Sequence, residues 1–327
     1  MRLLDLLAQS SPLHSSVAPQ GLPDPHHFAK SVQSCPLRLV LADDLTRCST
    51  ALAYAEGDRL SGCLDLVRVP SERLWVEWAE TPRQEALHEI PGIKTKPTPS
   101  AGRAGVLIHA DASGRTGNIR TFWSTPDHKI FTAAMTADFD LNQPIRQSKC
   151  ITDVFHGEPT GVAVPEEPAI DALVSHICFR FDPAWSLYYR SARLSNHEQS
   201  AVLRTALAST AFDVPMLFAL FLLMSAKDGT RQSAVKLDRL NRSRRRQGKC
   251  ELLEHIEASM NILAQPQETT PSRIDHRARV GRRLHHVRGH LARRGCKVYW
   301  RSPHLRGNAR LGIVRSRTVQ LTFQARP

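Results

Sequence analysis

Thirteen consecutive residues, Val214 to Ala226, are all apolar or small. A helix built from them is apolar all round, so protein must surround it on every side. The run falls short of the ~20 residues that cross a bilayer. It therefore demands a body with a core deep enough to enclose a helix. Asp213-Val214-Pro215 marks the start: Asp is a good N-cap, and Pro is tolerated in the first turn because its missing N–H would be unpaired there. Asp228-Gly229 marks the end. Upstream, Ser195-Asn196-His197-Glu198 fits a capping box for a helix over about 196–210, which completes a buried central helix pair.

The remaining elements follow from periodicity and turn chemistry. Residues 9–34 are rich in Ser, Pro, Gln and His and read as a loop. Pro36 opens a helix, and apolar residues at Leu37, Val40, Leu41, Leu45, Leu52 and Ala55 continue it to about Tyr54. Leu64–Val69 is β-rich, and Leu74–Trp78 alternates with Leu74, Val76 and Trp78 on one face. Residues 95–102 read as a loop. Ala104–His109 and Ile119–Trp123, joined across Asp111-Ala112-Ser113-Gly114-Arg115-Thr116-Gly117, read as a hairpin. Lys129–Met135 adds a third strand. Residues 64–140 thus predict a half-buried antiparallel meander packed on the preceding helix. Within 250–272, Ile256, Met260 and Leu263 give a short helical stripe, and polar residues 265–272 with two Pro mark a boundary.

The fold class is α+β: an antiparallel sheet with packed helices, the buried helix pair and a basic β-rich C-terminal module. The expected units are a mixed α/β body over 1–190, a helical region over 191–264 and the basic module over 265–327. A length of 327 residues accommodates roughly two domains. In the opening residues, Asp5 interrupts the apolar run and Gln9-Ser10-Ser11 ends it early for a signal peptide. The expectation is a cytoplasmic protein with no membrane partner. Seven scattered Cys with no Cys-x-x-Cys pair predict idle thiols in a reducing compartment rather than a disulfide framework or zinc knuckle. There is no Gly-x-Gly-x-x-Gly, P-loop, Gly-x-Ser-x-Gly or His-Glu-x-x-His. The acid pairs Asp43-Asp44 and Asp138/Asp140 read as solvated or capping.

Charge is segregated. Residues 273–327 hold fourteen Arg and one Lys against a single Asp, a net +14. The whole chain is +13, so residues 1–272 sum to −1. A second basic run, 231–249, holds eight Lys/Arg against one acid and reads as a basic linker or exposed helix end. A basic patch of this density favours polyanions, whereas Arg also forks carboxylates, so an acidic protein surface fits too.

Gly289 and Gly295 break any long helix in the basic end, and His286–Leu291, Lys297–Trp300 and Thr318–Phe323 read as strands. The loop Ala292–Cys296 makes the first two a hairpin. Val298 and Trp300 then share one face, and Tyr299 and Arg301 the other. Arginines beside aromatics hold phosphates and stack bases. The candidate binding residues are Arg282, Arg283, Arg288, His290, Arg293, Arg294, Tyr299, Trp300, Arg301, His304 and Arg306, with Gly289, Gly295 and Gly307 as structural positions. His285, His286, His290 and His304 lack a Cys or acid at ligand spacing, and Arg288 would repel a cation, so no metal and no cofactor is expected. His285, His290 and His304 with Arg288 form an alternative, metal-independent general acid–base set for RNA cleavage. A DNA-binding regulator is a further alternative, although no helix-turn-helix spacing is evident.

His285-x-x-Arg288-Gly289-His290, preceded by Arg282-Arg283 and followed by Val298-x-Trp300 and Pro303, resembles the C-terminal signature of a family of phage and mobile-element anti-CRISPR proteins acting against the type V-A effector nuclease. The close match covers about 281–304, and the remainder is a resemblance of layout. Leu291 stands where the family's named member has an aromatic. The resemblance implies a non-enzymatic protein that suppresses biogenesis of the effector by recognising its nascent polypeptide, with loss of the message. Its implied partners are a host defence protein and RNA or the ribosome, in the host cytoplasm. Arg288, Gly289, His290 and Trp300 carry over as motif positions.

Overall fold

In the computed structural model the described residues are 2–8, 25–91, 93, 102–145, 173, 175–182, 185, 187–188, 198, 201–202, 206–207, 210–261, 283–287, 289–301, 304–306 and 308–313. The chain divides into two compact units, residues 1–260 and 261–327.

The first unit is built on an eight-stranded sheet ordered β6-β5-β4-β3-β2-β1-β8-β7. Its strands are β1 (Leu37–Leu41), β2 (Arg73–Ala79), β3 (Arg103–Ala110), β4 (Thr116–Ser124), β5 (Ile130–Asp140), β6 (Ile177–Phe181), β7 (Thr230–Val235) and β8 (His255–Met260). Strands β2 to β5 form the expected antiparallel meander, and β6, which was not expected, extends it by one strand. The α+β class holds, but the sheet is mixed, because β1 lies parallel to both β2 and β8.

Three sequence readings change as a result. Leu37–Leu41 is a strand and not the first turns of a helix; Leu39, Val40 and Leu41 are buried on both faces, as an internal parallel strand requires. The helix α3 starts only at Asp43 (Asp43–Ala55), with Asp43 and Asp44 in its first turn, where the helix dipole favours acids. Residues 250–272 contribute strand β8 where a helical stripe was expected, since Ile256 and Met260 also satisfy a strand register. Leu64–Val69 is not a strand: Leu64–Leu66 forms a 3-10 turn.

The other α-helices with described bounds are α1 (Leu3–Ala8), α2 (Ala29–Gln33), α4 (Gly57–Ser61), α5 (Glu80–His88), α6 (Val214–Ser225) and α7 (Asp238–Arg246). The basic run 231–249 is strand β7 followed by helix α7, so of the two readings the linker fails and the exposed helix end holds for Arg245 and Arg246. The meander is covered on both faces rather than half-buried. Val40, Trp75, Leu107 and Phe122 meet Leu3, Leu4, Leu6 and Leu7 of α1 on one side. On the other lie α3, α5 and α6, with Phe139 of β5 packed edge-on against Phe218 of α6 at 5.7 Å. Consequently Leu74, Trp75, Val76 and Trp78 are all fully buried, not only the alternating three. Gly105 is required by this packing: a Cβ there would stand 2.6 Å from the Trp75 ring.

Helix α6 is as enclosed as its composition demands, with Val214 to Leu223 buried. Of the second helix of the expected pair, only isolated positions of 196–210 are described, all helical; its capping Ser195 lies outside the described residues. Asp213 does not cap α6 through its side chain. Its carboxylate instead meets Arg83 of α5 at 3.0 Å, and Arg83 also meets Glu80 at 2.6 Å. Trp78 Nε1 donates to Glu80 at 3.0 Å. All three charged groups are buried, so the cluster ties α5 to the start of α6.

Burial pushes the Asp213 carboxyl up to about 7 against the pull of Arg83. A carboxyl whose folded pKa is raised contributes stability that is fully present below about pH 4 and is lost as pH rises through about 7. The stability of the wild-type protein relative to an Asp213→Asn variant should therefore fall between about pH 5 and pH 8, by at most about 1.4 kcal/mol per pH unit. Urea denaturation of both proteins at the two pH values measures this, and a pH-independent difference would contradict it.

Among its described residues the second unit contains the strands β9 (Arg283–Val287), β10 (His290–Arg294), β11 (Lys297–Arg301), β12 (His304–Arg306) and β13 (Asn308–Ile313). β10 and β11 form an antiparallel hairpin, and β12-β9-β13 a three-stranded sheet. The expected single strand 286–291 is thus two strands, β9 ending at Val287 and β10 starting at His290. The expected strand Thr318–Phe323 lies outside the described residues.

Candidate functional site

The β10–β11 hairpin carries the clearest arrangement of charge and aromatic groups. Its turn is tighter than the expected loop 292–296: strand β10 runs to Arg294, β11 starts at Lys297, and only Gly295-Cys296 connect them. Gly295 has φ +61, and an added Cβ would touch nothing within 4 Å. The demand for glycine is therefore one of backbone conformation, that of a two-residue turn with glycine in its first central position. Gly295→Ala should cost the hairpin about 1–2 kcal/mol, seen as faster amide exchange in 290–301 than in the wild type.

The register sorts the hairpin's side chains. His290 is opposite Arg301, Ala292 opposite Tyr299, and Arg294 opposite Lys297. Directly opposite residues share a face, so His290, Arg294, Lys297, Tyr299 and Arg301 lie together. Arg294, Lys297 and Arg301 are exposed and Tyr299 is half-buried. The cross-strand pairs His290/Arg301 and Arg294/Lys297 stand four residues apart, roughly 13 Å along the strands, with Tyr299 between them. Leu291, Val298, Trp300 and Arg293 occupy the reverse face, where Leu291 and Val298 are buried. Trp300 thus keeps company with the apolar side of the hairpin, away from Tyr299. Arg293 donates from Nε to the Gly295 carbonyl at 3.0 Å, bracing the turn.

Of the other candidate residues, the register sets Arg306 of β12 opposite His285 of β9, and His304 opposite Val287. Arg306 is exposed. Arg283 begins β9 opposite Asn308 of β13. Gly289 falls between β9 and β10, whereas Arg282, Arg288 and Gly307 lie outside the described residues. Among the described residues no group of three or more His, Cys, Asp and Glu is placed to hold a metal ion.

In the first unit, Asp44, Asp138 and Asp140 of the acid pairs flagged by the sequence are held by partners. Asp44 accepts from the backbone N–H of Leu45 at 2.7 Å and of Met260 at 3.2 Å, fastening the start of α3 to the end of β8. Asp138 accepts from Asn118 Nδ2 at 2.6 Å and pairs with Arg180. Asp140 accepts from the Asn142 N–H at 2.8 Å. A cavity of about 730 Å³ opens at the C-terminal ends of the parallel strands β1 and β8, lined by Asp43, Asp44, Arg231, Ser233, Glu257 and Ser259 among others. Open α/β sheets bind ligands at such ends, but here Asp44 is consumed by backbone and Glu257 by Arg2 at 2.7 Å.

One grouping was missed in the sequence: Arg239, Arg242 and Arg246 on one side of α7. The signal available was their spacing, within a run read as a basic linker or exposed helix end.

Comparison with protein-family models, with curated proteins and with solved structures returned no match. Among the described residues no helix is long and apolar enough to cross a membrane.

Proposed function

We propose that this chain is a mobile-element protein that lowers production of a host defence protein, and that its C-terminal module grips RNA, including RNA on the ribosome. The observation that supports the RNA half is the sorting of the hairpin. Three exposed cations, Arg294, Lys297 and Arg301, share a face with Tyr299 and His290, opposite the buried Leu291 and Val298. Cations flanking an aromatic ring match what single strands need: phosphate neutralisation along the backbone and a ring for a base to stack on. The sharp charge boundary agrees with it, since the net +14 of residues 273–327 is set apart from a nearly neutral body. The defence-protein half rests on the resemblance of His285-x-x-Arg288-Gly289-His290 and Trp300 to the anti-CRISPR family.

The test is co-purification from a bacterial host at physiological salt, with and without RNase. The expected result is recovery of RNA or ribosomal components that RNase releases. Recovery of proteins alone, unchanged by RNase, would remove the RNA half and leave an acidic protein surface as the partner.

A second reading, metal-independent RNA cleavage, is favoured by the cross-strand pair His285 and Arg306 with His304 two positions away. Such cleavage needs two groups that exchange a proton and a cation for the developing phosphorane charge. Purified protein that leaves RNA intact in the presence of a chelator eliminates it.

A further inference from the structure

We propose that helix α7 presents a second, independent RNA-binding surface, a ridge of three arginines that contacts the phosphate backbone. This rests on the RNA-binding reading above and extends it to the first unit.

Helix α7, Asp238–Arg246, contains five arginines. Two are spent within the fold: Arg244 donates to the Cys250 carbonyl at 2.7 Å, and Arg245 to Glu251 at 2.6 Å. The other three, Arg239, Arg242 and Arg246, are exposed and make no ion pair or side-chain hydrogen bond among the described residues. At 100° per residue they fall within an arc of about 60°. The opposite side of the helix is the anchored one, where Leu237 and Asn241 are buried. The exposed Leu240 lies off the ridge.

The helix is held rigidly for so short an element. Asn241 Nδ2 donates to the Leu252 carbonyl at 2.9 Å, and its Oδ1 accepts from the Leu252 N–H at 2.8 Å. At the C-terminus, the Lys249 N–H reaches the Arg244 carbonyl at 2.9 Å and the Gly248 N–H the Arg245 carbonyl at 3.1 Å, with Gly248 at φ +66. That is a Schellman cap. The ridge is therefore a preorganised surface and not a fraying end.

Among the described residues, the helix dipole favours Arg246 in the last turn, but no acid pairs with Arg239 or Arg242. Like charges at i,i+3 and i,i+4 weaken a helix, and Arg239 stands in the first turn, where the dipole disfavours a cation. A merely solvated face would be served as well by mixed charges. Three guanidiniums on consecutive turns, with the exposed Leu240 off their arc, suit a regular line of phosphates. Arg231, Lys236 and Lys249, exposed on the flanking segments, extend the field with the same sign.

The experiment uses the full chain and a short RNA duplex, with affinity measured against salt concentration. Each phosphate contact contributes roughly 0.9 to the slope of log K against log salt. The variant Arg239→Gln/Arg242→Gln/Arg246→Gln should lose about 2 to 3 from the magnitude of that slope, and the variant with Lys at all three positions should retain it. The Lys variant and an unchanged circular-dichroism spectrum control for folding. Wild-type binding with a slope that the Gln variant leaves unchanged overturns the ridge alone. No binding of the duplex by the wild type overturns the ridge, and no binding of a single-stranded RNA either overturns the RNA reading itself. A polyglutamate peptide that binds the wild type but not the Gln variant, with the RNA slope unchanged, overturns the proposal in favour of an acidic protein partner.

Discussion

Glu77→Ala is expected to destabilise the first unit by about 3–5 kcal/mol, the range for breaking a buried ion pair. Glu77 lies in the middle of β2 with no exposure to solvent. Its two carboxylate oxygens each accept one backbone N–H from the start of α1, Leu3 at 2.8 Å and Leu4 at 2.8 Å. It also pairs with Arg103 of the neighbouring strand, and Trp75 Nε1 approaches it at 3.4 Å. The charge is thus compensated from three sides, and removing it strands two helix N–H groups, an indole N–H and a guanidinium. Because α1 contributes Leu3, Leu4, Leu6 and Leu7 to the core, its release would open that face of the sheet. Native domains hold only about 5–15 kcal/mol in total, so the variant should show a large drop in urea midpoint and loss of amide protection in 3–8. A loss below about 1 kcal/mol would mean that α1 is not anchored by Glu77.

The second large effect concerns the hairpin. The substitution Arg294→Gln/Lys297→Gln/Arg301→Gln should lower affinity for single-stranded RNA by on the order of 10²-fold at about 0.1 M salt. Three lost phosphate contacts at roughly 0.7 each in salt slope correspond to about two decades there. All three side chains are exposed, so folding should be unaffected. Tyr299→Ala, removing the ring between the cations, should cost a further about 1–3 kcal/mol in binding. Trp300→Ala should act differently. With Leu291 and Val298 on its face, its loss should loosen the hairpin and lower affinity only through stability. Equal affinities of the triple variant and the wild type would remove this face from the interface.

The parts of the fold legible beforehand were those with one unambiguous pattern. Val214–Ser225 had to be a buried helix because no face of it is polar. The β3–β4 hairpin was evident from two apolar runs around Asp111-Ala112-Ser113-Gly114, where Gly114 takes φ +67 against the backbone of Val69. What escaped depends on distant partners. β1 is five residues fused to a helix, and only its parallel pairing with β2 and β8 makes it a strand. α7 has just two anchors, Leu237 and Asn241, too few for a periodic signal among five arginines. The tie between Glu77 and α1 spans more than seventy residues and leaves no local trace. At the candidate site, strand alternation already separated Tyr299 and Arg301 from Val298 and Trp300; the cross-strand partners His290, Arg294 and Lys297 required the register.

The most direct measurement of the functional proposal is made in a bacterium carrying a type V-A system, by following the effector protein and its message after expression of this chain. The proposal predicts that both fall, and that the Arg294→Gln/Lys297→Gln/Arg301→Gln variant, expressed to the same level, restores them. Effector protein and message that stay constant under the wild-type chain, or fall equally under the variant, would contradict it.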